Sequence, residues 1–191
     1  VGSYQRLGVL ARFSGDPAGA CRPFDRDRSG FVIGEGAAVL VLERRRTAAE
    51  RAARPYAQWL AGGMASDARG LLQLDSDAWA LDRLISDTLR RAGVAPGEID
   101  YANLHGTATA PNDICETRAV RQAFGDDAQR LACSSLKGAL GHLLGAAGSV
   151  ELAMTVLAMR DGIVPPTVNL EHPDPQCDLD YTPEVARPRR I

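Results

Sequence analysis

Two of the three histidines in the chain lie in segments of small residues where they could act on a ligand. His105 lies in NLHGTATAPND, residues 103–113, and His142 lies in CSSLKGALGHLLGAAG, residues 133–148. Small side chains let a ligand approach the backbone, and threonine hydroxyls can hydrogen-bond it. The apolar residues after His142 favour a neutral imidazole, whose ring N–H is a good donor to a developing oxyanion.

The second segment also holds Lys137, the one lysine among 22 basic residues, all the others being arginine. Lysine is a compact ammonium that can reach into a tight site, whereas arginine is a rigid planar fork. A buried ammonium needs a counter-charge, and Glu151 on the predicted helix that follows is the candidate. The alternative is that the single lysine stands there by chance.

Together, these residues predict a channel in which two neutral histidines and a lysine stabilise an oxyanion next to a carbonyl. Structural, hydrogen-bonded histidines are the alternative interpretation of His105 and His142. No metal site is expected, because neither histidine has a carboxylate or cysteine at a recognised ligand spacing. The third histidine, His172, lies among prolines and charges and is predicted to be in a surface loop.

Composition excludes several classes of protein. A formal charge of −2 over 191 residues argues against non-specific nucleic-acid binding. No signal-peptide pattern is present, and the longest apolar run, residues 36–42, is too short to span a membrane, so we expect a cytoplasmic protein. The cysteines form no CxxC pair and are expected to be free thiols in a reducing compartment; they are Cys21, Cys115, Cys133 and Cys177.

Apolar periodicity predicts alternating strands and helices. We predict strands over residues 31–43, 55–66, 99–104, 130–135 and 177–183, and helices over 44–53, 77–93, 112–125 and 144–162. This order favours a largely parallel sheet with helices on both faces. Since sites in such sheets lie at the carboxyl ends of strands, the HGTAT and CSSLKG segments are expected to meet there.

The chain resembles the β-ketoacyl-acyl-carrier-protein synthases, condensing enzymes of the thiolase-like superfamily. The segments that carry the resemblance occur in the family's order and cover nearly the whole chain: CRPFDRDRSGFVIGEGAAVLVLE (21–43), HGTATAPND (105–113), SSLKGALGHLLGAAGSVE (134–151) and VPPTVNLEHPDPQCDLDY (164–181). The resemblance implies a layered α/β/α/β/α fold of two similar halves, usually dimeric. Residues 1–54 would be the end of the first half and the connection, and residues 55–191 most of the second half.

The resemblance also implies a reaction. A cysteine is acylated, a malonyl thioester on acyl carrier protein is decarboxylated, and the enolate attacks the acyl-cysteine in a Claisen condensation of fatty acid or polyketide elongation. His105 and His142 match the histidines that assist decarboxylation and hold the thioester carbonyl. Lys137 matches the lysine that orders the site, and Glu151 its acidic partner. Thr107 and Thr109 match residues that bind the phosphopantetheine arm, so no other cofactor is implied.

The chain departs from the family pattern at the nucleophile. No cysteine lies in the context of the family's nucleophilic cysteine, and Cys133 is interpreted as a core residue. The family's last Gly-rich segment is also missing after Ile191. We therefore expect the partners to be acyl carrier protein and the absent first half of the enzyme, and we expect the chain alone not to condense, because acyl transfer needs the nucleophile.

Three alternatives stay open at this point. A non-catalytic partner of the chain-length-factor type would bind acyl carrier protein without condensing, although such partners tend to lose the histidines. A polyketide ketosynthase module would use the same chemistry on a different carrier and acyl chain. A serine acylase would use the S-x-x-K pattern of residues 134–137, but that class also needs a K-T-G strand and the chain has no second lysine.

Overall fold

The computed structural model describes residues 2–12, 14–70 and 73–191. The α-helices in these ranges are α1 (Gly2–Leu7), α2 (Arg45–Glu50), α3 (Trp79–Ala92), α4 (Ala110–Phe124), α5 (Lys137–Leu140) and α6 (Ala147–Asp161). The strands are β1 (Tyr101–Asn103), β2 (Ala132–Ser134), β3 (Ile163–Val164) and β4 (Arg187–Pro188). Short 3₁₀ turns cover Pro17–Gly19, Pro96–Glu98, Gly125–Gln129 and Leu144–Ala146. The predicted mixture of helices and strands is confirmed.

The pairing of β1 with β2 sets the position of the site. The two strands are parallel, with Tyr101 opposite Ala132 and Asn103 opposite Ser134. Asp180 continues this arrangement with a parallel bridge to Ala132. Because parallel strands end at the same edge, the turns that follow β1 and β2 are neighbours. The other strand pair, β3 with β4, is antiparallel, so the predicted parallel pairing does not extend to every strand.

The helices with the clearest periodicity form where the sequence predicts them. Helix α3 lies within the predicted range 77–93 and turns its half-buried Leu81, Ile85 and Leu89 inward. It ends at Gly93, whose φ of 68° is a left-handed conformation that glycine adopts without strain. Helices α4 and α6 fall within two or three residues of their predicted bounds. The predicted helix 44–53 is shorter and keeps only residues 45–50.

The hydrophobic core lies between α4 and the β1–β2 pair. Phe24, Leu104, Phe124 and Leu131 are among its buried members. The ring of Phe24 stacks on Tyr181 at 3.9 Å between centroids. Cys133 is fully buried in this core, as the sequence analysis expected. This packing fixes the strands from which the site turns project.

Three predicted strands do not form. Residues 31–43 contain only isolated bridges at Phe31 and Ile33, and residues 55–66 contain no strand. The prediction of a strand over 177–183 is also wrong, because only single bridges form there, at Asp180 and Pro183. In the described ranges no strand pairs along the first two segments, and several of their apolar side chains are exposed, with Val39 at 92% and Met64 at 94%. Strand-forming residues without a neighbouring strand have no ladder of hydrogen bonds.

Candidate active site

The site is built on the turns that follow β1 and β2. The hydroxyl of Ser135, after β2, donates to the carbonyl oxygen of Gly106, after β1, at 2.8 Å. Gly106 has a φ of +37°, and a Cβ there would lie only 2.5 Å from the Ser135 Cβ. A side chain at residue 106 would therefore separate the two turns. The sequence places glycine at the point where the turns touch.

His105 and His142 are brought together across these turns. Their ring centroids are 5.3 Å apart and the rings are nearly perpendicular, at 88°. The His105 side chain is exposed to solvent, and the His142 side chain is half-buried. The two histidines, which the sequence predicts to share a channel, can thus contact one small group at the same time.

The segment around Phe31 holds His142 in place. The backbone N–H of His142 donates to the Val32 carbonyl at 2.7 Å, and the Gly34 N–H donates to the His142 carbonyl at 3.0 Å. The Phe31 ring packs edge-on against the imidazole at 4.9 Å. A Cβ on Gly34 would lie 2.1 Å from the Leu140 carbonyl oxygen, so the segment can approach this closely only with glycine there. Phe31 and His142 are 111 residues apart in the sequence, so no local sequence pattern indicates this contact.

The hydrogen bond to His142 selects its tautomer. The backbone N–H of Leu144 donates to Nδ1 of His142 at 3.1 Å. Nδ1 is therefore the acceptor nitrogen, and in the neutral ring the proton lies on Nε2. Leu144 has a φ of 53°, a left-handed conformation that costs free energy for a non-glycine residue and that tertiary structure must maintain. The result is an N–H donor with a fixed orientation, as an oxyanion site requires.

Lys137 and Glu151 form a buried ion pair. The Lys137 Nζ donates to Oε1 of Glu151 at 2.5 Å, and these residues are 1% and 8% exposed. Asn103 Nδ2 donates to the other oxygen, Oε2, at 3.1 Å. Glu151 extends from α6 toward the end of β1, so three elements converge on one carboxylate. The sequence predicted the pair, but it gave no role to Asn103.

Both site histidines favour the neutral form. The pKa of His105 is lowered to about 4, first by loss of water around the ring and then by the Lys137 ammonium and His142. Because His105 is partly open to solvent, water weakens this effect without reversing its direction. The pKa of His142 is also lowered, first by burial and then by Lys137, against a smaller opposing effect of Glu151. Neutral imidazoles are the state that the sequence analysis expects.

Thr107 and Thr109 lie beside each other on the same turn. Their Oγ1 atoms are 2.8 Å apart, Thr107 is buried, and Thr109 is half-buried. One hydroxyl donates to the other, which leaves the second proton available to a ligand. Their predicted contact with a phosphopantetheine arm stays a prediction.

A further acidic residue contacts this turn. Glu116, on α4, accepts hydrogen bonds from the backbone N–H of His105 at 2.6 Å and of Gly106 at 2.8 Å. It is 8% exposed. Sequence reasoning missed it, because a glutamate in the second turn of a helix resembles any other polar residue there. The available signal was its position, 11 residues after the histidine and six residues after the start of α4.

The cysteines are poor nucleophiles. All four are free and buried, and burial is the largest cause of the raised pKa of each thiol. For Cys177 the pKa is about 11. Since the thiolate is the reactive form, none is suited to accept an acyl group at neutral pH. This agrees with the absence of the family's nucleophile motif.

The serine-acylase alternative does not fit the geometry. Ser134 is fully buried, and its Oγ is 2.8 Å from the hydroxyl of Tyr101. The ammonium of Lys137 is directed at Glu151 instead. A serine nucleophile must be accessible and activated by a base, and Ser134 is not accessible.

The described ranges contain neither a cluster of metal-binding side chains nor a helix that could cross a membrane. No group of three or more His, Cys, Asp or Glu residues could hold a metal ion in residues 2–12, 14–70 and 73–191. Over the same residues, no helix is long and apolar enough to cross a bilayer.

His172, predicted to be in a surface loop, is exposed.

Similarity to known proteins defines the class to which this fold and site belong. The family model "Beta-ketoacyl synthase, C-terminal domain" matches residues 56–171, and "Beta-ketoacyl synthase, N-terminal domain" matches residues 1–48. The chain therefore belongs to the β-ketoacyl synthase family, and the resemblance seen in its sequence is confirmed. The division between residues 54 and 55 stays a prediction.

Particular relatives support this assignment. The chain is 44% identical over all of its length to 3-oxoacyl-[acyl-carrier-protein] synthase 2 of Coxiella burnetii, of which it spans 46%. It is 42% identical over all of its length to the tetracenomycin polyketide synthase ketoacyl synthase alpha subunit of Streptomyces glaucescens, of which it spans 45%. The chain thus spans about half the length of the curated relatives that it matches.

A solved structure supports the predicted fold class. The chain superposes with a TM-score of 0.95 and 38% identity on a "type II PKS acyl-carrier protein in complex with its ketosynthase bound to the hexaketide". All of this chain and 47% of that chain are covered. The predicted thiolase-like α/β fold is confirmed, and this chain forms one part of that fold.

Proposed function

We propose that the full-length protein is an acyltransferase that joins an acyl thioester to a malonyl thioester by decarboxylative Claisen condensation. The observation that carries the proposal is the neutral histidine pair, 5.3 Å apart, beside the buried Lys137–Glu151 pair. The malonyl group is carried on the phosphopantetheine of acyl carrier protein, in fatty acid or polyketide elongation. The nucleophilic cysteine comes from a part of the protein outside residues 1–191.

The histidines act on the malonyl thioester. Cleavage of the bond to the carboxylate releases carbon dioxide and leaves its electron pair on an enolate, whose charge lies on the thioester oxygen. Nε2–H of His142 and a ring N–H of His105 donate to that oxygen. Such donors are stronger when fixed in advance and shielded from water. A protonated imidazole is not required, which agrees with the lowered pKa of both rings.

The Lys137–Glu151 pair orders the site. Its ammonium is too deeply buried to touch the substrate freely, at 1% exposure. Burial is the main cause of the lowered pKa of both histidines, and the positive charge of Lys137 lowers it further, which favours their neutral form. Glu151 neutralises the ammonium and links it through Asn103 to the end of β1. Lys137 is therefore a positioning residue in this proposal.

Thr107 and Thr109 bind the phosphopantetheine arm. Their hydroxyls lie on the turn that carries His105, and the partly exposed Thr109 is the one within reach of a ligand. An arm with two amides needs such donors and acceptors close to the reacting thioester. Apart from this arm, which belongs to the substrate, the reaction requires no cofactor.

Condensation completes the reaction. The enolate carbon forms a bond to the carbonyl carbon of the acyl-cysteine, and the cysteine thiolate leaves. Because the four thiols of this chain are buried, residues 1–191 alone supply the decarboxylating part of the site and not the acyl acceptor. We further propose that the full-length protein is a cytoplasmic homodimer that binds acyl carrier protein.

A second candidate is a non-catalytic partner of the chain-length-factor type. The unreactive cysteines favour it. The retained histidine pair and lysine disfavour it, since a surface that only binds a carrier needs no oxyanion donors.

The test is to acylate and alkylate the full-length protein. A ketosynthase carries one thiol that an acyl-acyl carrier protein acylates and that iodoacetamide blocks, and it then condenses with malonyl-acyl carrier protein. Peptide mapping should find that thiol outside residues 1–191. If no thiol is acylated and no condensation product forms, the protein is the non-catalytic partner.

A further inference from the structure

The hydroxyl of Thr167 joins two segments of backbone next to the turn that follows β2. Thr167 comes shortly after β3 and is fully buried. Its Oγ1 donates to the Tyr181 carbonyl oxygen at 2.7 Å and accepts the backbone N–H of Ser135 at 3.1 Å. Since a hydroxyl has one proton and two lone pairs, this one side chain satisfies a buried carbonyl and a buried amide at once.

The backbone of Thr167 is itself held in place. Its N–H donates to the Thr182 carbonyl oxygen at 2.9 Å, and its carbonyl oxygen accepts the Glu184 N–H at 3.1 Å. Because the backbone is bonded on both sides of the side chain, the hydroxyl is not free to follow a shift of Ser135. The position of the Ser135 amide is therefore set by residues 181–184, through Thr167.

The residue after Thr167 supports the other end of the same turn. A Cβ on Gly138 would lie 2.3 Å from the Val168 carbonyl oxygen, so the two backbones are in close contact. Ser135 lies two residues before Lys137, and Gly138 directly follows it. Thr167 and Val168 thus contact both ends of the segment that carries the lysine.

Ser135 connects the parts of the site. Its hydroxyl donates to the Gly106 carbonyl oxygen at 2.8 Å and accepts the Lys137 backbone N–H at 3.3 Å. The Lys137 ammonium donates in turn to Glu151. A shift of Ser135 would therefore change both the distance from this turn to the His105 turn and the direction of the ammonium.

We propose that Thr167 is a positioning residue, whose hydroxyl fixes the Ser135 backbone and thereby the spacing of the histidine pair and the direction of the Lys137 ammonium. Its importance for catalysis rests on the proposed function, whereas the contact with Ser135 does not. Thr167 does not touch the reacting atoms in this scheme.

The first experiment measures hydrogen exchange of single backbone amides in the full-length protein. We expect the Ser135 amide to exchange at least about 10²-fold more slowly than in an unstructured peptide, because its acceptor is buried. In Thr167→Val this amide should exchange roughly tenfold faster than in the unsubstituted protein, and in Thr167→Ser its exchange should be unchanged. The Ala132 amide, which donates to the Asp100 carbonyl oxygen at 3.2 Å, is the internal reference.

Two results would overturn the proposal. One is rapid exchange of the Ser135 amide in the unsubstituted protein, a measurement that does not depend on any variant folding. The other is unchanged protection of this amide in Thr167→Val. Since hydrogen exchange needs no activity, a protein that shows the expected exchange but forms no condensation product would contradict only the proposed function.

The second experiment measures malonyl decarboxylation by variants of the full-length protein. Thr167→Val should lower kcat by roughly tenfold to hundredfold with little change in KM, because displaced donors stabilise the transition state less. Thr167→Ser keeps the hydroxyl and should retain most of the rate. Thr88→Val is the matched control, since the Thr88 hydroxyl also donates to a backbone carbonyl, that of Leu84 at 2.7 Å, but lies on α3. A normal kcat in Thr167→Val, equal losses in the Val and Ser variants, or a change in KM alone would contradict a positioning role.

Discussion

The imidazole of His142 faces that of His105 edge to face, with 5.3 Å between ring centroids and 88° between ring planes. His105 follows β1 directly, whereas His142 lies after α5, the short helix that follows β2. A parallel strand pair puts the turns that follow β1 and β2 at one edge, and the contact between Ser135 and Gly106 sets their spacing. The chemistry of the site therefore depends on how closely the two turns are held.

Gly106→Ala tests that spacing. A Cβ at residue 106 would meet the Ser135 Cβ at 2.5 Å and would need a left-handed φ, so we expect a loss of unfolding free energy of about 1–3 kcal/mol. Gly148→Ala is the control, because nothing lies within 4 Å of its Cβ position. Urea unfolding of both variants measures the difference. A Gly106→Ala chain as stable as the control would show that the turns are not in close contact.

Loss of Glu151 should destabilise the chain strongly. Glu151→Gln leaves the Lys137 ammonium buried without its counter-charge, which costs about 3–5 kcal/mol. Breaking the exposed pair between Arg46 and Glu50 by Glu50→Gln should cost less than about 1 kcal/mol. Urea unfolding compares the two substitutions. If both substitutions lower the unfolding free energy by the same small amount, water reaches the Lys137 ammonium.

Lys137→Arg should not be conservative. Lys137 is 1% exposed, and the larger planar guanidinium cannot enter the same space without displacing its neighbours. We expect turnover of the full-length protein to fall by about 10²-fold, as a displaced pair moves the histidines. Arg46→Lys, at an exposed position, is the control. Normal turnover of the Lys137→Arg protein would remove any special role from the single lysine.

The stability of the chain should depend on pH through His105. Its folded pKa is lowered to about 4 from 6.5, so between these values the unfolded chain binds a proton that the folded chain does not. This histidine therefore makes unfolding free energy fall as pH falls from about 6.5 to 4. His105→Gln should remove that contribution, and His172→Gln should not. The folded pKa of Glu116 is raised to about 7 from 4.5, so Glu116 makes the unfolding free energy rise as pH falls between these values. The contribution of His105 is therefore measured as the difference between the variants.

An unchanged pH dependence in His105→Gln would contradict a lowered pKa for His105. The comparison uses unfolding curves of the three proteins at matched ionic strength. His172 is the suitable control because it is exposed in a loop.

Local patterns in the sequence were enough to predict α3, α4, α6 and the two strands of the site. Their apolar residues recur with the right period, and glycine marks the helix ends. The same reasoning predicted His105, His142, Lys137 and Glu151 as a group, because small residues and a single lysine are unusual. It could not predict the roles of Phe31 and Asn103, since their contacts join segments distant in sequence. It missed Glu116, only 11 residues after His105, because a glutamate there resembles any other polar residue of a helix.

The strands over 31–43 and 55–66 failed for a different reason. Valine, isoleucine and tyrosine favour a strand only where another strand supplies hydrogen bonds. In the described part of the chain those partners are absent, and Val39 and Met64 are almost fully exposed. The residue types of a segment indicate its preference for a strand, but they do not indicate which neighbouring strand must be present to pair with it.

The role of the histidine pair is tested most directly by measuring carbon dioxide release by His142→Ala in the full-length protein. We expect release from malonyl-acyl carrier protein to fall by about 10²–10⁴-fold, because the Nε2–H donor is lost. Acylation of the nucleophilic cysteine should be nearly unchanged, and His172→Ala should behave as the unsubstituted protein does. A His142→Ala protein that decarboxylates at the normal rate would contradict the role of the histidine pair.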